Sequence, residues 1–375
     1  KNSEDQIADI LLSYGYSKVL ILIGQGSVKR TGLLEKVVKL LEKAKIECMV
    51  LEGIRPNPTI QFVYDNLRKI KEFEPDSILS IGGGSVIDTG KSIAASYYYD
   101  GDPFDFNLHK AKPTKVLPHG VILTISAAGS EGSTSCVMQD DTTGVKAGFN
   151  HELNRPLFAI CNPELTYSVS KTQTAYGIVD ILMHTIERYF SSSNELELSD
   201  GLAEGLIKEV LKAGKKAFEE PNNYEARANL MLASTISHNG ITSLGKLYTM
   251  PVHQLEHSLS GRYPFVAHAA GLAVLWSKWA RYYLKYDVDK FDSFSRNVFH
   301  SFKEDKYENG LYGIECLEQY FKDIDMPQTF KALGIEEVDI NFLINNFSNN
   351  GTRVVKHHAK PLDRDVAKTI YKSCI

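Results

Sequence analysis

The residues best placed for chemistry are an acid and an imidazole inside a helical pattern. In "GIVDILMHTIERYF", Gly177 to Phe190, apolar residues recur at helical spacing, yet Asp180 and His184 sit among them one turn apart. Side chains at i and i+4 leave a helix on the same side, so the two can converge on one point. A metal ion would explain the pair, and so would a buried histidine satisfied by a neighbouring carboxylate. Further on, "HQLEHSLSGRYPFVAH" supplies His253 and His257, again one turn apart, and His268 beyond a loop that contains Pro264. Any one of these imidazoles has a structural reading. Three of them downstream of Asp-x3-His favour a ligand sphere of one carboxylate oxygen and three nitrogens, suited to Fe²⁺ or Zn²⁺ with a position left open.

A second kind of chemistry is suggested by small residues. "SILSIGGGSVIDTGKSIA" places Gly82, Gly83, Gly84 and Ser85 between a buried strand and a helix, with Asp88 in the first helical turn. Glycines let a backbone approach a ligand, and the N–H groups at a helix start favour an anion such as a pyrophosphate. A tight turn alone would also call for glycine, and the helix dipole alone would favour Asp88. "GQGSVKRTG", containing Gly26 and Ser27, follows the first strand, and "TISAAGSEGS", Thr124 to Ser133, follows another. Three such loops at carboxyl ends of strands are expected to share one crevice.

The elements that must position these groups are legible from periodicity. "KVLILI" (Lys18 to Ile23), "ECMVLEGI", "SILSI" (Ser77 to Ile81), "GVILTI" and "LFAICN" read as strands. Between the earlier ones run the helical stretches "GLLEKVVKLLEKAK", "PTIQFVYDNLRKIKEF" and "VIDTGKSIAASYYY". That alternation predicts crossover units and a mostly parallel sheet. Beyond Asn162-Pro163 long helical periodicities dominate, with loops at "SSSNE" and "EEPNN". The expectation is an α/β domain over 1–166 and an all-helical domain over 167–375. A chain of 375 residues suffices for two such cores. Its hydrophobic content of 43%, charged content of 23% and net charge of -4 give no case for nucleic acid or a membrane surface. The five cysteines are scattered without a CxxC, as free thiols of a reducing compartment would be. The polar, acidic first residues do not read as a secretory signal, and no apolar run approaches the ~20 residues of a membrane span. A cytoplasmic protein is expected.

With these motifs in hand the chain resembles the iron-containing (group III) alcohol dehydrogenases, closest to their branch of NADPH-dependent butanol dehydrogenases and broad aldehyde reductases. The likeness runs through "GQGSVKRTG", "RPNP", "GGGSVIDTGKSIA", "TISAAGSE", "NPELTYSVSKTQTAYGIVDILMHTIERYF" and "HQLEHSLSGRYPFVAHAAGLAV". The resemblance implies a nucleotide-binding α/β domain, a helical domain, and a divalent metal and active site in the cleft between them. It implies metal ligands at Asp180, His184, His253 and His268, a pyrophosphate loop at Gly82 to Ser85 with Asp88 nearby, and Asn57 close to the adenosine. Thr124 and Ser130 match the family's hydroxyl-rich loop, whereas Ile125 and Ala128 stand where it has hydroxyl residues. The spacing from His253 to His268 is one residue longer than the family's.

His257, one turn from His253, is expected to relay a proton to the substrate oxygen or to orient the nicotinamide, with a packing role as the other reading. In the family an aspartate in the turn after the first strand goes with NAD, and the small GxGS form goes with NADP. Here Gly26 and Ser27 give the small form and Lys29 and Arg30 add charge, so NADP(H) is expected over NAD(H). The implied activity is hydride transfer between NADP(H) and a primary alcohol or aldehyde in a homodimer, with aldehyde reduction favoured. Two other readings are a metal-dependent lyase resembling dehydroquinate synthase, for which only Arg262 offers a phosphate-gripping cation, and a non-catalytic nucleotide-binding scaffold.

Overall fold

A computed structural model describes residues 1–191 and 196–375. The chain forms two compact units, Lys1–Val169 and Ser170–Ile375, which divide just past the short helical turn Pro163–Thr166.

The first unit is built on five parallel strands: β1 (Lys18–Gly24), β2 (Glu47–Ile54), β3 (Ser77–Gly82), β4 (His119–Leu123) and β7 (Phe158–Ile160), in the order β2-β1-β3-β4-β7. Helices α1 (Ile7–Ser13), α2 (Ser27–Arg30), α3 (Leu33–Lys43), α4 (Ile60–Phe73) and α5 (Gly84–Ser96) belong to this unit. The run Val19–Ile23 is fully buried because both faces of the sheet are covered. Val19, Ile21 and Ile23 join Val37 and Leu41 in one core, while Leu20 and Leu22 join Val63 and Ile70 in another.

Each expected strand and helix of this half is present within a few residues of its expected ends. Helices α1 and α2 were not anticipated, nor was an antiparallel hairpin of β5 (Ser135–Asp140) and β6 (Val145–Asn150). Its turn, Asp141-Thr142-Thr143-Gly144, has Gly144 at φ 69°, a legible turn signal, and Asp140 accepts from both threonine hydroxyls.

The second unit is helical: α6 (Lys171–Tyr189), α7 (Glu197–Glu219), α8 (Tyr224–His238), α9 (Pro251–Arg262), α10 (His268–Tyr283), α11 (Val288–Phe299), α12 (Lys306–Asp323), α13 (Ile340–Phe347) and α14 (Arg364–Lys372). α6 is started by Ser170, whose side chain accepts from the Gln173 N–H at 3.2 Å. From Gly177 to Tyr189 every residue of α6 is buried, which follows from apolar residues on all its sides, Ile178, Val179, Leu182 and Ile186 among them. The expected loop "EEPNN" joins α7 to α8. That at "SSSNE" falls, beyond Ser191, outside the described residues. Among the described residues no helix is long and apolar enough to cross a membrane.

Candidate metal centre and nucleotide loops

Burial makes the polar groups of α6 informative. Asp180 and His184 are 6% and 4% exposed, on a helix whose apolar residues belong to the core of this unit. The Asp180 carboxylate Oδ1 lies 3.5 Å from His184 Nδ1, 3.8 Å from His253 Nε2 and 3.9 Å from His268 Nε2. α6 supplies the first two, α9 supplies His253, and His268 is the first residue of α10. The linker between α9 and α10 is closed by the Val266 N–H donating to the Tyr263 carbonyl at 2.9 Å.

Three of these facing atoms, Asp180 Oδ1, His184 Nδ1 and His253 Nε2, are buried without a hydrogen-bond partner. Leaving such groups unmatched costs about 1–3 kcal/mol each. Donors held ~2.1 Å from one ion stand about 3.4 Å from each other at a tetrahedral angle. The observed separations are close to that, so the residues fit a divalent ion, and one carboxylate with three imidazoles is a donor set for Fe²⁺ or Zn²⁺.

Electrostatics act differently on the two inner imidazoles. Burial pushes the His184 imidazole well below its ordinary value, and His238, His253, Arg188 and His268 push the same way, so it stays neutral. Burial also works against a charged His253, but Glu187 and Asp180 outweigh it and hold this imidazole up to about 9. His257 is half-buried, its ring 5.8 Å from that of His268 and 6.5 Å from that of His253.

The sequence reading passed over three residues beside this centre. His238, the last residue of α8, stacks edge-on to His184 with ring centroids 4.0 Å apart. Glu187 and Glu256 are fully buried carboxylates, one bonded to His253 Nδ1 and the other to His268 Nδ1. A signal for the acids existed: "HTIE" and "HQLE" repeat the spacing His-x-x-Glu.

In the first unit, parallel register aligns the carboxyl ends of the strands. Gly24 pairs with Ile54, Ile23 with Ile81, and Gly82 with Leu123. The loops bearing Gly26 and Ser27, Asn57, Gly82 to Ser85, and Thr124 to Ser130 therefore lie along one edge. The order β2-β1-β3 places the first and third of these loops on either side of the point where the winding reverses, where open α/β sheets bind ligands.

Gly26, at φ 107°, precedes α2, and Arg30 Nη1 is 3.5 Å from where its Cβ would be. Lys29 is paired with Glu52 of β2, so Arg30 is the cation that the turn retains. Asn57 takes φ 53° and accepts from Lys146 at 3.0 Å.

The glycines of the third loop have a packing reason besides any ligand. A Cβ on Gly83 would sit 2.3 Å from Ile125 Cγ2, and one on Gly84 would sit 3.0 Å from Ala128 Cβ. Ile125 and Ala128, the two apolar substitutions of the hydroxyl-rich loop, thus rest against the glycine loop. Asp88 and Ser130 meet each other: the Ser130 hydroxyl donates to Asp88 Oδ1 at 2.5 Å, and the Val137 N–H donates to Oδ2 at 2.9 Å. Lys91, also missed from sequence, reaches from α5 into the Ser130–Ser135 segment.

A nucleotide-binding type of sheet together with a buried carboxylate–imidazole cluster defines the class, and comparison with known proteins gives the family. Residues 1–163 match the family model "Iron-containing alcohol dehydrogenase", and residues 174–374 match "Fe-containing alcohol dehydrogenase family, C-terminal". The chain belongs to the iron-containing alcohol dehydrogenases and is an oxidoreductase.

Within that family it is 38% identical over 374 residues to NADH-dependent butanol dehydrogenase A of Clostridium acetobutylicum, covering 99% of this chain and 95% of that protein. It is 31% identical to an NADPH-dependent aldehyde reductase of Escherichia coli, covering 95% and 92%. Its fold matches the crystal structure of NADH-dependent butanol dehydrogenase A from Thermotoga maritima with a TM-score of 0.95 and 33% identity, over 100% of this chain and 95% of that one.

Proposed function

We propose that this enzyme interconverts aldehydes and primary alcohols, with reduction the favoured direction, using NADP(H) in preference to NAD(H) and one Fe²⁺ or Zn²⁺. The observation that carries the metal reading is the convergence of unpartnered donors at Asp180, His184 and His253, with His268 3.9 Å from the same carboxylate oxygen. A divalent ion there would polarise the substrate oxygen as a Lewis acid, and the nicotinamide would supply or accept the hydride.

The chain's own residues do the rest. Neutral His184 and the carboxylate of Asp180 give a donor set whose buried surroundings exclude water. His257 is the candidate to hold or move the proton that an aldehyde oxygen gains on reduction. Gly82 to Ser85, Gly26, Ser27, Asn57, Thr124 and Ser130 are the candidate cofactor contacts, with Asp88 holding Ser130 in place.

The relatives' names carry both cofactors, NADH for the butanol dehydrogenases and NADPH for the Escherichia coli reductase. The preference for NADP(H) rests on a turn after β1 without a carboxylate and on Arg30 beside Gly26, which suit a 2′-phosphate. All five cysteines are free, which suits work in a reducing cytoplasm, and the family likeness favours a homodimer.

The lyase reading loses support because Arg262, its one candidate phosphate-gripping cation, donates to Asp339 at 3.3 Å.

The test is kcat/KM for butyraldehyde and a panel of aldehydes with each reduced nicotinamide at one pH, alongside metal content. His268→Ala should abolish turnover and lower bound metal, and Gln25→Asp, which puts a carboxylate in the turn after β1, should erode NADPH use by repelling the phosphate. Full metal occupancy in His184→Ala, or higher efficiency with NADH in the native enzyme, would overturn the corresponding part of the reading.

A further inference from the structure

The two buried glutamates beside the donor cluster follow one rule. Glu187 lies three residues after His184 on α6, and its Oε1 meets Nδ1 of His253 on α9. Glu256 lies three residues after His253 on α9, and its Oε2 meets Nδ1 of His268 on α10. α6 and α9 thus each carry, at His-x-x-Glu spacing, the acid that holds the imidazole of the next helix. Both acids are almost wholly removed from solvent, at 1% and 0% exposure.

Glu187 has a second task. α9 begins at Pro251 and has no side-chain cap of its own at Met250. Glu187 Oε2 accepts the Val252 N–H at 2.6 Å and the His253 N–H at 3.4 Å, capping α9 from another helix while Oε1 holds the imidazole. Glu256 in turn has room because position 271 on α10 is glycine. A Cβ there would lie 3.0 Å from Glu256 Cγ and 3.3 Å from its Oε1.

We propose that Glu187 and Glu256 are positioning residues of the metal centre. Each fixes the next helix's imidazole with its proton on Nδ1 and its Nε2 turned toward Asp180, and together they lock α6, α9 and α10 in the arrangement the ligand set needs. This rests on the metal reading above. An imidazole that donates from Nδ1 to a carboxylate has its tautomer and ring plane fixed and becomes a more basic ligand through Nε2.

Glu187→Gln forces a choice. The single amide oxygen cannot accept from both the Val252 N–H and His253 Nδ1, and an amide NH₂ facing Nδ1 would draw the imidazole proton to Nε2, where it blocks coordination. Glu256→Gln retains an acceptor for His268 and loses only the charge, so its effect is the smaller one.

The experiment measures Zn²⁺ affinity of the full chain by chelator competition, the d–d spectrum of the Co²⁺-loaded protein, and thermal melting of the metal-free protein. Glu187→Gln should weaken Zn²⁺ binding by about 10–100-fold, Glu256→Gln by less, with an altered Co²⁺ spectrum in each. Gly271→Ala, which changes neither a ligand nor either acid, should also weaken binding by displacing Glu256. A merely structural role would lower the melting point of the metal-free protein while leaving affinity and spectrum unchanged, and that result overturns the proposal. Should Glu187→Gln fail to fold, Glu256→Gln and Gly271→Ala decide alone. A native protein that binds no stoichiometric Zn²⁺, or an Asp180→Asn variant that binds it as well as the native one, refutes the ligand assignment instead.

Discussion

Replacing Lys91 by Met probes how the loop edge of the first unit is held together. The Lys91 ammonium is 1% exposed and donates to the carbonyls of Ser130, Ser133 and Ser135 at 2.7, 3.0 and 2.7 Å. It also reaches the hydroxyls of Ser130 and Ser133 at 2.8 and 3.3 Å, and Asp88 Oδ1 lies 3.9 Å away. Burial lowers its pKa, while the nearby Asp88 carboxylate works in the opposite direction.

Two effects of the substitution oppose each other. Methionine removes the cost of burying an ammonium, several kcal/mol, and keeps most of the side-chain volume. It also removes hydrogen bonds from a charged donor, about 1.5–3 kcal/mol each, and leaves three carbonyls facing hydrocarbon. Removing one partner of a buried charged cluster costs about 3–5 kcal/mol in net, a large share of the roughly 5–15 kcal/mol that holds a domain together.

The segment released is the one that carries Ser130, so the functional consequence should be a raised KM for the nicotinamide cofactor with a smaller change in kcat. Guanidinium unfolding of the full chain and cofactor titration measure the two effects. An unchanged unfolding midpoint together with an unchanged cofactor KM would refute the reasoning, because the loop would then be held without its buried cation.

Two further outcomes follow from the site and the core. His257→Phe should lower turnover and shift the pH profile of aldehyde reduction. Native turnover with an unaltered profile would assign His257 to packing. Acid should destabilise the first unit through His119, which is buried against the Ser80 hydroxyl at 2.8 Å and has its pKa pushed down to about 3 by burial and by Lys91. An unfolded chain takes up this proton near pH 6.5 and the native one only near pH 3. Stability should therefore fall with pH across that window by up to about 1.4 kcal/mol per pH unit. Urea midpoints from pH 7 to 4.5 should show a shallower slope in His119→Asn, and an equal slope would dismiss the idea.

Reading these residues from sequence worked where the signal was local. The five strands and their crossover helices were visible because a strand buried on both faces is a short apolar run and an amphipathic helix repeats every 3.6 residues. Asp180 and His184 stood out because i, i+4 spacing places two polar groups together inside an otherwise apolar helical pattern. The hairpin Ser135–Asn150 was missed although its turn residues were legible, because its strands alternate weakly between apolar and polar.

Tertiary structure decided what no local pattern carries. Only the packing of α6, α9 and α10 determines which imidazole nitrogen faces Asp180, and that Glu187 and Glu256 occupy the other nitrogens. The Asp88–Ser130 bond, the Lys91 anchor, and the contact of Ile125 with Gly83 likewise join segments distant in the chain. Periodicity is a property of a few consecutive residues, whereas the partner of a buried polar group is chosen by whichever segment the folded core brings within hydrogen-bonding reach.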